Sequence, residues 1–278
     1  MKFGFIGAGK VGFSLGKYFA DHDLDVVGYY SEIAKDAAEA ATFTGSKAYD
    51  SIEAILTDSD VLFITVPDDA IGNVWDTIKT CHFSNKIVCH TSGALSSKIF
   101  SDIAEFGSYG YSIHPLFAIS DPLNSYKELS KTLFTIEGSP EKLDVMSDLF
   151  VRLGNKVAVI EPEDKVKYHA ACAMASNLVV GLVSASEKLL EECGIEDPHM
   201  ALSPILESNM KHIVEDGAVG ALTGPIERGD VSTVEKHISV LDGERKEMYL
   251  ALSKEVLRVA KEKNPDRDYS EMEKLLVR

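Results

Sequence analysis

The sequence predicts an α/β domain, built on a doubly wound and mainly parallel sheet, followed by an all-helical C-terminal domain. Three observations lead to this fold class. Short apolar segments alternate with helical patterns over residues 1–161, glycines separate the first strand pattern from the first helix pattern, and helical patterns alone fill residues 162–278. Near-continuous apolar strands joined by helices are typical of parallel sheets covered on both faces. We therefore predict two domains that meet at residue 161.

The strand patterns of the first domain recur at regular intervals. They lie at residues 2–6, 25–31, 46–49, 60–66, 86–90, 110–114, 132–137 and 156–160. An alanine-rich segment over residues 33–41 favours one of the connecting helices. In the second domain a helical pattern continues from Pro162 to Cys193, where Gly194 is a typical helix terminator.

The glycines after the first strand carry the clearest functional signal. Gly7, Gly9 and Gly12 form the G-x-G-x-x-G pattern, which in this context is typical of Rossmann dinucleotide-binding domains. Gly7 permits a tight turn, Gly9 lets the backbone approach a pyrophosphate, and Gly12 lets the helix pack close to the strand. A P-loop is excluded because Val11 follows Lys10 where a Mg²⁺-binding hydroxyl is needed, and a glycine-rich turn without a ligand is the alternative. The expected cofactor-binding turn comprises Gly7, Ala8, Gly9, Lys10, Val11 and Gly12.

The end of the second strand bears on the choice between NADP and NAD. NAD sites usually place an acid there, which binds the ribose 2′-hydroxyl. This strand ends at Tyr30 and Ser31, and the Ser31 hydroxyl could bind a 2′-phosphate, with Lys35 nearby. Glu32 would repel that phosphate, so we expect NADP and keep NAD as the alternative. The turn after the fourth strand should also lie along the cofactor, and it comprises Val66, Pro67 and Asp68.

Polar residues follow the next two strands at the same edge of the sheet. Ser92 follows the fifth strand, where its hydroxyl could hold a nicotinamide amide or a substrate oxygen, or simply cap a helix that begins at Leu95. His114 ends the sixth strand, where it could protonate a carbonyl or form a structural contact beside Pro115. We include Ser92 and His114 in the candidate catalytic site because doubly wound sheets bind ligands at the carboxyl ends of their strands.

The long helix of the second domain supplies the other candidate catalytic residues. The spacing of His169, Ser176 and Asn177 predicts one polar stripe along a helix, with hydrogen bonds between helices as the alternative explanation. His169 is our first choice of proton donor because an imidazole can donate near neutral pH, and Asn177 would assist it. We expect Ser176 to contact the substrate, together with Thr223 and Arg228 from a loop further along, since the planar charge of an arginine suits a carboxylate or phosphate.

Composition excludes several classes of function. The net charge of −16 argues against nucleic acids and anionic membranes as partners. No apolar run approaches the ~20 residues that span a bilayer, and the N-terminus lacks a signal-peptide pattern, so we expect a cytoplasmic protein. We predict no metal site, because Cys89 and His90 would point to opposite faces of a strand. The long apolar helix predicts a homodimer through the helical domain.

Together these motifs resemble a family of Rossmann-like oxidoreductase homologues whose C-terminal half is a domain of unknown function. The segments that carry the resemblance are residues 7–12, 65–68, 90–95, 114–116, 168–171, 176–177, 222–225 and 228–230. In that family an arginine often follows the serine, at the position of Glu32 here. The resemblance implies a dinucleotide cofactor, a small-molecule substrate and a dimer formed by the helical domain.

More distantly, the chain is similar to pyrroline-5-carboxylate reductase, deazaflavin-dependent NADP oxidoreductase and the β-hydroxyacid dehydrogenases. The last group carries Lys-x-x-x-Asn on the equivalent long helix; Asn177 matches the asparagine, but Ala173 stands at the lysine position. We therefore expect an NAD(P)-dependent oxidoreductase that transfers hydride between a nicotinamide cofactor and a small carbonyl, imine or hydroxy acid in a cleft between the domains. The missing lysine leaves a non-catalytic NADP-binding sensor or regulatory dimer as the alternative.

Overall fold

An eight-stranded sheet forms the centre of the first part of the computed structural model, which describes residues 1–277. Its strands are β1 (Lys2–Ile6), β2 (Asp25–Tyr30), β3 (Lys47–Ala48), β4 (Val61–Ile64), β5 (Ile87–His90), β6 (Tyr109–Pro115), β7 (Leu133–Gly138) and β8 (Lys156–Val159). Their spatial order is β3-β2-β1-β4-β5-β6-β7-β8, and neighbouring strands are parallel except for β6 and β7, which pair antiparallel. The predicted mainly parallel, doubly wound sheet is therefore confirmed, with one reversed pair.

Helices connect most of the strands. They are α1 (Lys10–Asp21), α2 (Ala34–Thr44), α3 (Ile52–Asp58), α4 (Asp68–Lys79) and α5 (Leu143–Arg152). The segment between β5 and β6 is different, because it contains the short 3₁₀ helices Ser97–Ile99 and Ile103–Phe106. The prediction of an α-helix that begins at Leu95 is therefore wrong.

The sheet is buried on both faces, as its continuous apolar strands predict. Along β4, Val61 and Phe63 pack into one apolar cluster with Phe5 and Phe19, whereas the intervening residues of the strand pack on the other face around Trp75. Period-two alternation between two cores is what the strand geometry requires. The sheet is thus held rigidly, and the turns at its carboxyl edge have a firm support.

The rest of the chain is helical. Its helices are α6 (Lys165–Ala175), α7 (Asn177–Glu192), α8 (Pro198–Ala221), α9 (Pro225–Arg228), α10 (Val231–Val240), α11 (Gly243–Lys263) and α12 (Ser270–Val277). By contacts the chain divides into two compact units, Met1–Ser176 and Asn177–Arg278. Helix α6 therefore belongs to the unit that contains the sheet, so the division falls after Ser176 and not at the expected residue 161. The second unit has its own small apolar core, around residues such as Val234 and Leu257.

The long helical pattern is interrupted at Ser176. This residue has φ −129° and ψ −84°, and its Oγ donates to the carbonyl oxygen of Cys172 at 2.7 Å. This bond accompanies the break but does not explain it, because Ser186 Oγ donates to the carbonyl oxygen of Leu182 in the same way inside α7. His169, Ser176 and Asn177 therefore do not lie along one uninterrupted helix, contrary to the predicted stripe. The predicted end of the pattern is correct, since Gly194 adopts φ +83° just after α7.

One helical stretch of the described chain is long and apolar enough to cross a membrane. It runs over Pro162–Glu192, and an 18-residue window within it has a mean hydropathy of 1.3. The expectation that no such run exists is therefore wrong. A single helix of this kind is also common in proteins without a membrane span, so its length and composition do not decide where the protein resides.

Gly12 offers a test of how closely α1 packs on β1. A Cβ atom at Gly12 would lie 2.3 Å from the carbonyl oxygen of Gly7 and 2.4 Å from Thr65 Oγ1. We expect Gly12→Ala to lower the free energy of unfolding by roughly 1–3 kcal/mol, measured by urea titration. Gly9→Ala is the matched control, because a Cβ there meets nothing within 4 Å. Equal stability of the two variants would contradict the tight approach of α1.

Candidate functional site

The glycine-rich turn has the backbone conformation that its sequence predicts. Gly7 adopts φ +98°, which favours glycine, and its N–H donates to the carbonyl oxygen of Tyr30 at 2.8 Å. Thr65 Oγ1 donates to the carbonyl oxygen of Gly7 at 2.7 Å and holds the turn against β4. Helix α1 begins directly after Gly9, whose missing side chain provides no cap, so the first N–H groups of the helix are directed at whatever binds there.

A cleft of about 230 Å³ opens beside this turn. Its walls combine the turn with the ends of β2 and β4, and they are formed by Ile6, Gly7, Ala8, Gly9, Tyr30, Ser31, Glu32, Ile33, Thr65, Val66, Pro67, Ala70 and Val74. A Cβ atom on Gly9 would meet no protein atom within 4 Å, so the space in front of Gly9 is open. Seven of the predicted cofactor-binding residues are thus brought together around one cleft.

The other predicted cofactor-binding residues flank that cleft. Lys10 lines a second cavity of about 360 Å³, which shares Ala8 and Gly9 with the first. Val11 and Gly12 form the first turn of α1, and Asp68 begins α4. Both helix starts lie at the carboxyl edge of the sheet, where ligands of this fold class bind.

Ser92 connects two of the turns at this edge. Its Oγ donates to Asp68 Oδ2 at 2.7 Å and accepts from the backbone N–H groups of Ala94 and Leu95 at 3.1 and 2.9 Å. The hydroxyl is therefore engaged by the protein and ties the turn after β5 to the start of α4. Ser92 therefore makes the backbone hydrogen bonds that a capping residue would make, as the alternative interpretation predicted, although no α-helix follows it.

Two imidazoles meet at Gly93. A Cβ atom built on Gly93 would lie 2.7 Å from His169 Cδ2 and 3.0 Å from His114 Nε2. A side chain at position 93 would displace one or both rings, so Gly93 leaves the room that both of them occupy. The structure therefore brings together the two histidines that the sequence predicted separately, His114 from β6 and His169 from α6.

His114 is held by a tyrosine that sequence reasoning missed. The His114 Nδ1 atom and the Tyr168 hydroxyl are 2.8 Å apart. Burial, reinforced by the positive charge of Lys165, lowers the pKa of His114 to about 4, and burial raises the pKa of Tyr168 to about 12. Both groups are therefore neutral near pH 7. When the tyrosine donates to Nδ1, the ring proton of His114 lies on Nε2, the atom next to Gly93.

A buried lysine lies beneath these groups. Lys165 is only 1% exposed, and its Nζ donates to the carbonyl oxygen of Ser92 at 2.9 Å and to Ser112 Oγ at 2.8 Å. Burial lowers the pKa of the ammonium group to about 8, although the carboxylates of Glu137 and Asp68 oppose that shift. Lys165 was not predicted as a site residue because the lysine of the Lys-x-x-x-Asn pattern was expected at the position that Ala173 occupies. The signal was present as Lys-x-x-x-His, from Lys165 to His169, at the start of the helical pattern.

The remaining predicted site residues lie at or beyond the break in the long helix. Asn177 begins α7, and Thr223 is exposed between α8 and α9. Arg228 ends α9, next to the turn in which Asp230 caps α10 by accepting from Thr233 N at 3.1 Å. Their roles stay predictions, as does the substrate contact of Ser176.

Comparison with known families divides the chain into two matched regions. Residues 1–115 match the Rossmann-like domain, and residues 132–256 match the domain of unknown function DUF2520. The predicted resemblance is therefore confirmed: a Rossmann-like domain is followed by a DUF2520 domain. Comparison with curated proteins finds no match.

Solved structures share the fold over nearly the whole chain. Protein TM1727 from Thermotoga maritima is 25% identical, with a TM-score of 0.76 over 94% of this chain and 98% of that one. The reductive aminase from Aspergillus terreus, in complex with NADPH and ethyl-5-oxohexanoate, is 14% identical, with a TM-score of 0.65 over 98% of each chain. The Plasmodium falciparum pyrroline carboxylate reductase with NADP bound is 15% identical, with a TM-score of 0.56 over 95% of this chain and 96% of that one.

The two buried histidines predict how stability depends on pH. Burial lowers the pKa values of His90 and His114 to about 4, so between pH 4 and about 6.5 the unfolded chain binds protons that the folded chain does not. Stability contributed by the neutral rings is therefore lost as the pH falls through that window, by roughly 1–3 kcal/mol for each ring. Urea titrations at several pH values should show a shallower dependence for His114→Gln than for the exposed control His212→Gln. Identical pH profiles for the two variants would contradict the assigned shift.

Proposed function

We propose that the protein is an NAD(P)-dependent oxidoreductase acting on a small carbonyl, imine or hydroxy acid. The observation that carries this proposal is the meeting of His114 and His169 at Gly93, on the sheet edge that also carries the glycine-rich turn. The hydrogen bond from Ser92 to Asp68 links that meeting point to the start of α4 beside the cleft. Two neighbouring imidazoles can deliver a proton to a substrate or remove one from it.

The residues of the cleft fit a dinucleotide. Gly9 presents open space at the start of α1, which suits a pyrophosphate, and the apolar side chains of Ile33, Val66 and Val74 suit an adenine ring. We propose NADP as the cofactor and Tyr30 and Ser31 as the residues at its ribose. The reductase and reductive aminase structures that share this fold contain NADP or NADPH, which supports this choice. A bound nicotinamide would donate or accept the hydride.

The chain's own side chains would handle the proton. We propose that His169, which is exposed and can exchange protons with solvent, is the donor to the substrate. His114, kept neutral and oriented by Tyr168, would polarise the substrate from the other side of Gly93. Ser92 would act by joining the two turns, and the proposed substrate contacts outside this cluster are Ser176, Asn177, Thr223 and Arg228.

The alternative, a non-catalytic sensor, rested on a missing lysine. Ala173 still stands at that lysine position, but the buried Lys165 places a positive charge near His114, which supports the enzyme over the sensor. The net charge of −16 supports a small-molecule substrate in place of a nucleic acid or an anionic membrane surface, and we propose a cytoplasmic protein.

We further propose that the protein is a homodimer through its helical half. Apolar side chains of α7 and α8 are exposed in the single chain, among them Leu178, Val180, Ile205 and Val214. Exposed apolar surface of this kind is typical of interfaces. Light scattering at micromolar concentration should give twice the chain mass of 30.3 kDa, and the mass of one chain would contradict the proposal.

Gly9→Val tests cofactor binding directly. A Cβ at this position meets no protein atom within 4 Å, and the valine side chain would occupy the open space at the start of α1, so we expect a folded protein whose affinity for NADPH falls at least tenfold, about 1.4 kcal/mol. Calorimetric titration measures that affinity. Gly72→Ala is the control, because a Cβ there lies 3.9 Å from its nearest neighbour and outside the cleft. Unchanged NADPH affinity in folded Gly9→Val would overturn the proposed binding mode.

Ser31→Asp tests the preference for NADP. A carboxylate at the end of β2 would repel a 2′-phosphate and accept a hydrogen bond from a ribose hydroxyl, so the ratio of NADPH to NADH affinities should fall at least tenfold. Glu32→Gln should shift the ratio the opposite way, because it removes a negative charge from the same wall. Tighter binding of NADH than of NADPH by the unmodified protein would show that the preference is wrong.

A further inference from the structure

The buried charge of Lys165 bears on which substrates the site accepts. Building on the proposed oxidoreductase function, we propose that Lys165 is a specificity-determining positioning residue that makes the site select carbonyl substrates over imines. Its positive charge favours an oxygen that becomes negative during reduction, and it disfavours a cationic iminium at the same place.

The first support for this inference is where the ammonium group lies. Both of its hydrogen bonds go to uncharged oxygens, the carbonyl of Ser92 and the hydroxyl of Ser112. Ser92 immediately precedes Gly93, the residue at which the two imidazoles meet. The charge is therefore placed one residue from the meeting point of His114 and His169, and it is shielded there from solvent.

Two carboxylates are near Lys165, but each is engaged elsewhere. Glu137 accepts from the N–H and the Oγ of Ser97, both at 2.7 Å, and Asp68 accepts from Ser92 Oγ at 2.7 Å. They raise the pKa of Lys165 and so help to keep it protonated near pH 7. The other titratable groups that face the lysine are His90, His114 and the α6 residues Tyr168 and Cys172. His90, His114 and Tyr168 are uncharged at that pH, because burial lowers the pKa values of the two histidines to about 4 and raises that of the tyrosine to about 12, whereas Cys172 acts with the two carboxylates in raising the pKa of Lys165.

The pKa of His114 indicates whether the groups around it favour a positive or a negative charge beside the ring. Beyond burial, the positive charge of Lys165 lowers the pKa of this ring, and the imidazoles of His169 and His90 act in the same direction when they are protonated. A further positive charge beside His114 is therefore disfavoured, and a negative charge is favoured. A fixed positive field at the place where charge develops is an effective way to stabilise a transition state.

Carbonyl and imine reduction differ in the charge that they create. When hydride adds to a carbonyl carbon, the π pair of the C=O bond moves to oxygen, which becomes an alkoxide and then takes one proton, here from His169. An imine must first be protonated to an iminium; hydride addition to its carbon then moves the C=N π pair to nitrogen and neutralises the positive charge. The field of Lys165 thus assists the first reaction and opposes the entry of the second substrate.

The experiment compares substrates and variants at pH 7. The substrates are a panel of 2-oxo acids and simple aldehydes against 1-pyrroline and other cyclic imines, with NADPH as the reductant. We expect the unmodified protein to favour carbonyls at least tenfold in kcat/KM. Lys165→Met keeps the length of the side chain and removes its charge, so it should lower kcat for carbonyls at least tenfold, with little change in KM. The preference for carbonyls over imines should narrow as a result. Lys167→Met, on the exposed side of the same helix, should behave like the unmodified protein.

A second pair of measurements separates the charge from a structural role. Lys165→Gln retains a hydrogen-bond donor without the charge, so it should resemble Lys165→Met if the charge matters and the unmodified protein if only the bonds matter. Histidine-ring NMR titration should show the pKa of His114 rising in both variants and staying constant in Ser112→Ala, which keeps the charge. In the unmodified protein, carbonyl turnover should fall as the pH passes about 8, where Lys165 loses its proton.

Calorimetric titration with NADPH distinguishes a failure of the proposed oxidoreductase function from a failure of the inference about Lys165. If NADPH does not bind, the proposed function fails and this inference fails with it. If NADPH binds but imines are reduced faster than carbonyls, or if Lys165→Gln retains full carbonyl activity and an unshifted His114 pKa, only the inference is overturned. The substrate preference and pH profile of the unmodified protein decide the matter even if both Lys165 variants fail to fold.

Discussion

The arrangement of the candidate site depends on one buried ammonium group. Moving a charge out of water costs several kcal/mol unless the protein supplies hydrogen-bond partners. Lys165 finds its partners on the turn after β5 and on β6, so the first turn of α6 must lie against both. Tyr168 and His169 follow three and four residues later on the same helix, and the helical repeat brings them over His114 and Gly93. The position of a single nitrogen thus determines where both imidazoles meet.

The sequence predicted the features that depend on local pattern. The strands of the first half, the turn from Gly7 to Gly12 and the terminator at Gly194 each follow from a few neighbouring residues. Lys165 escaped prediction because a lysine is rarely buried, and its acceptors lie 73 and 53 residues away in the chain. The reversal of β7 was not predicted because an apolar run has the same appearance in either strand direction. The break at Ser176 was not predicted because the helical pattern of the sequence continues through it.

The two ends of the site are built by different means. The proposed cofactor cleft depends on backbone: a glycine with positive φ, an open position at Gly9 and the free start of a helix. The proposed reacting end depends on side chains drawn from β6 and α6, and on the missing side chain of Gly93. Substitutions at the first end would alter how closely a cofactor can approach the backbone. Substitutions at the second end would alter the charge around the two imidazoles. This difference is the reason that glycine substitutions probe the cofactor and lysine substitutions probe the chemistry.

The reversed strand β7 has a consequence for how the molecule assembles. Because β7 runs against β6 and pairs in parallel with β8, the chain leaves β8 close to Ser112 and enters α6 there. Strand β8 pairs with β7 alone, so it has no place in the sheet until that strand has joined. Helix α6 carries a charge that stays in water until Ser92 and Ser112 are both in position. We therefore expect the helix to dock in the last stage of folding, with φ-values near zero for substitutions at Lys165, so that the proposed reacting end of the site forms only when the sheet is complete.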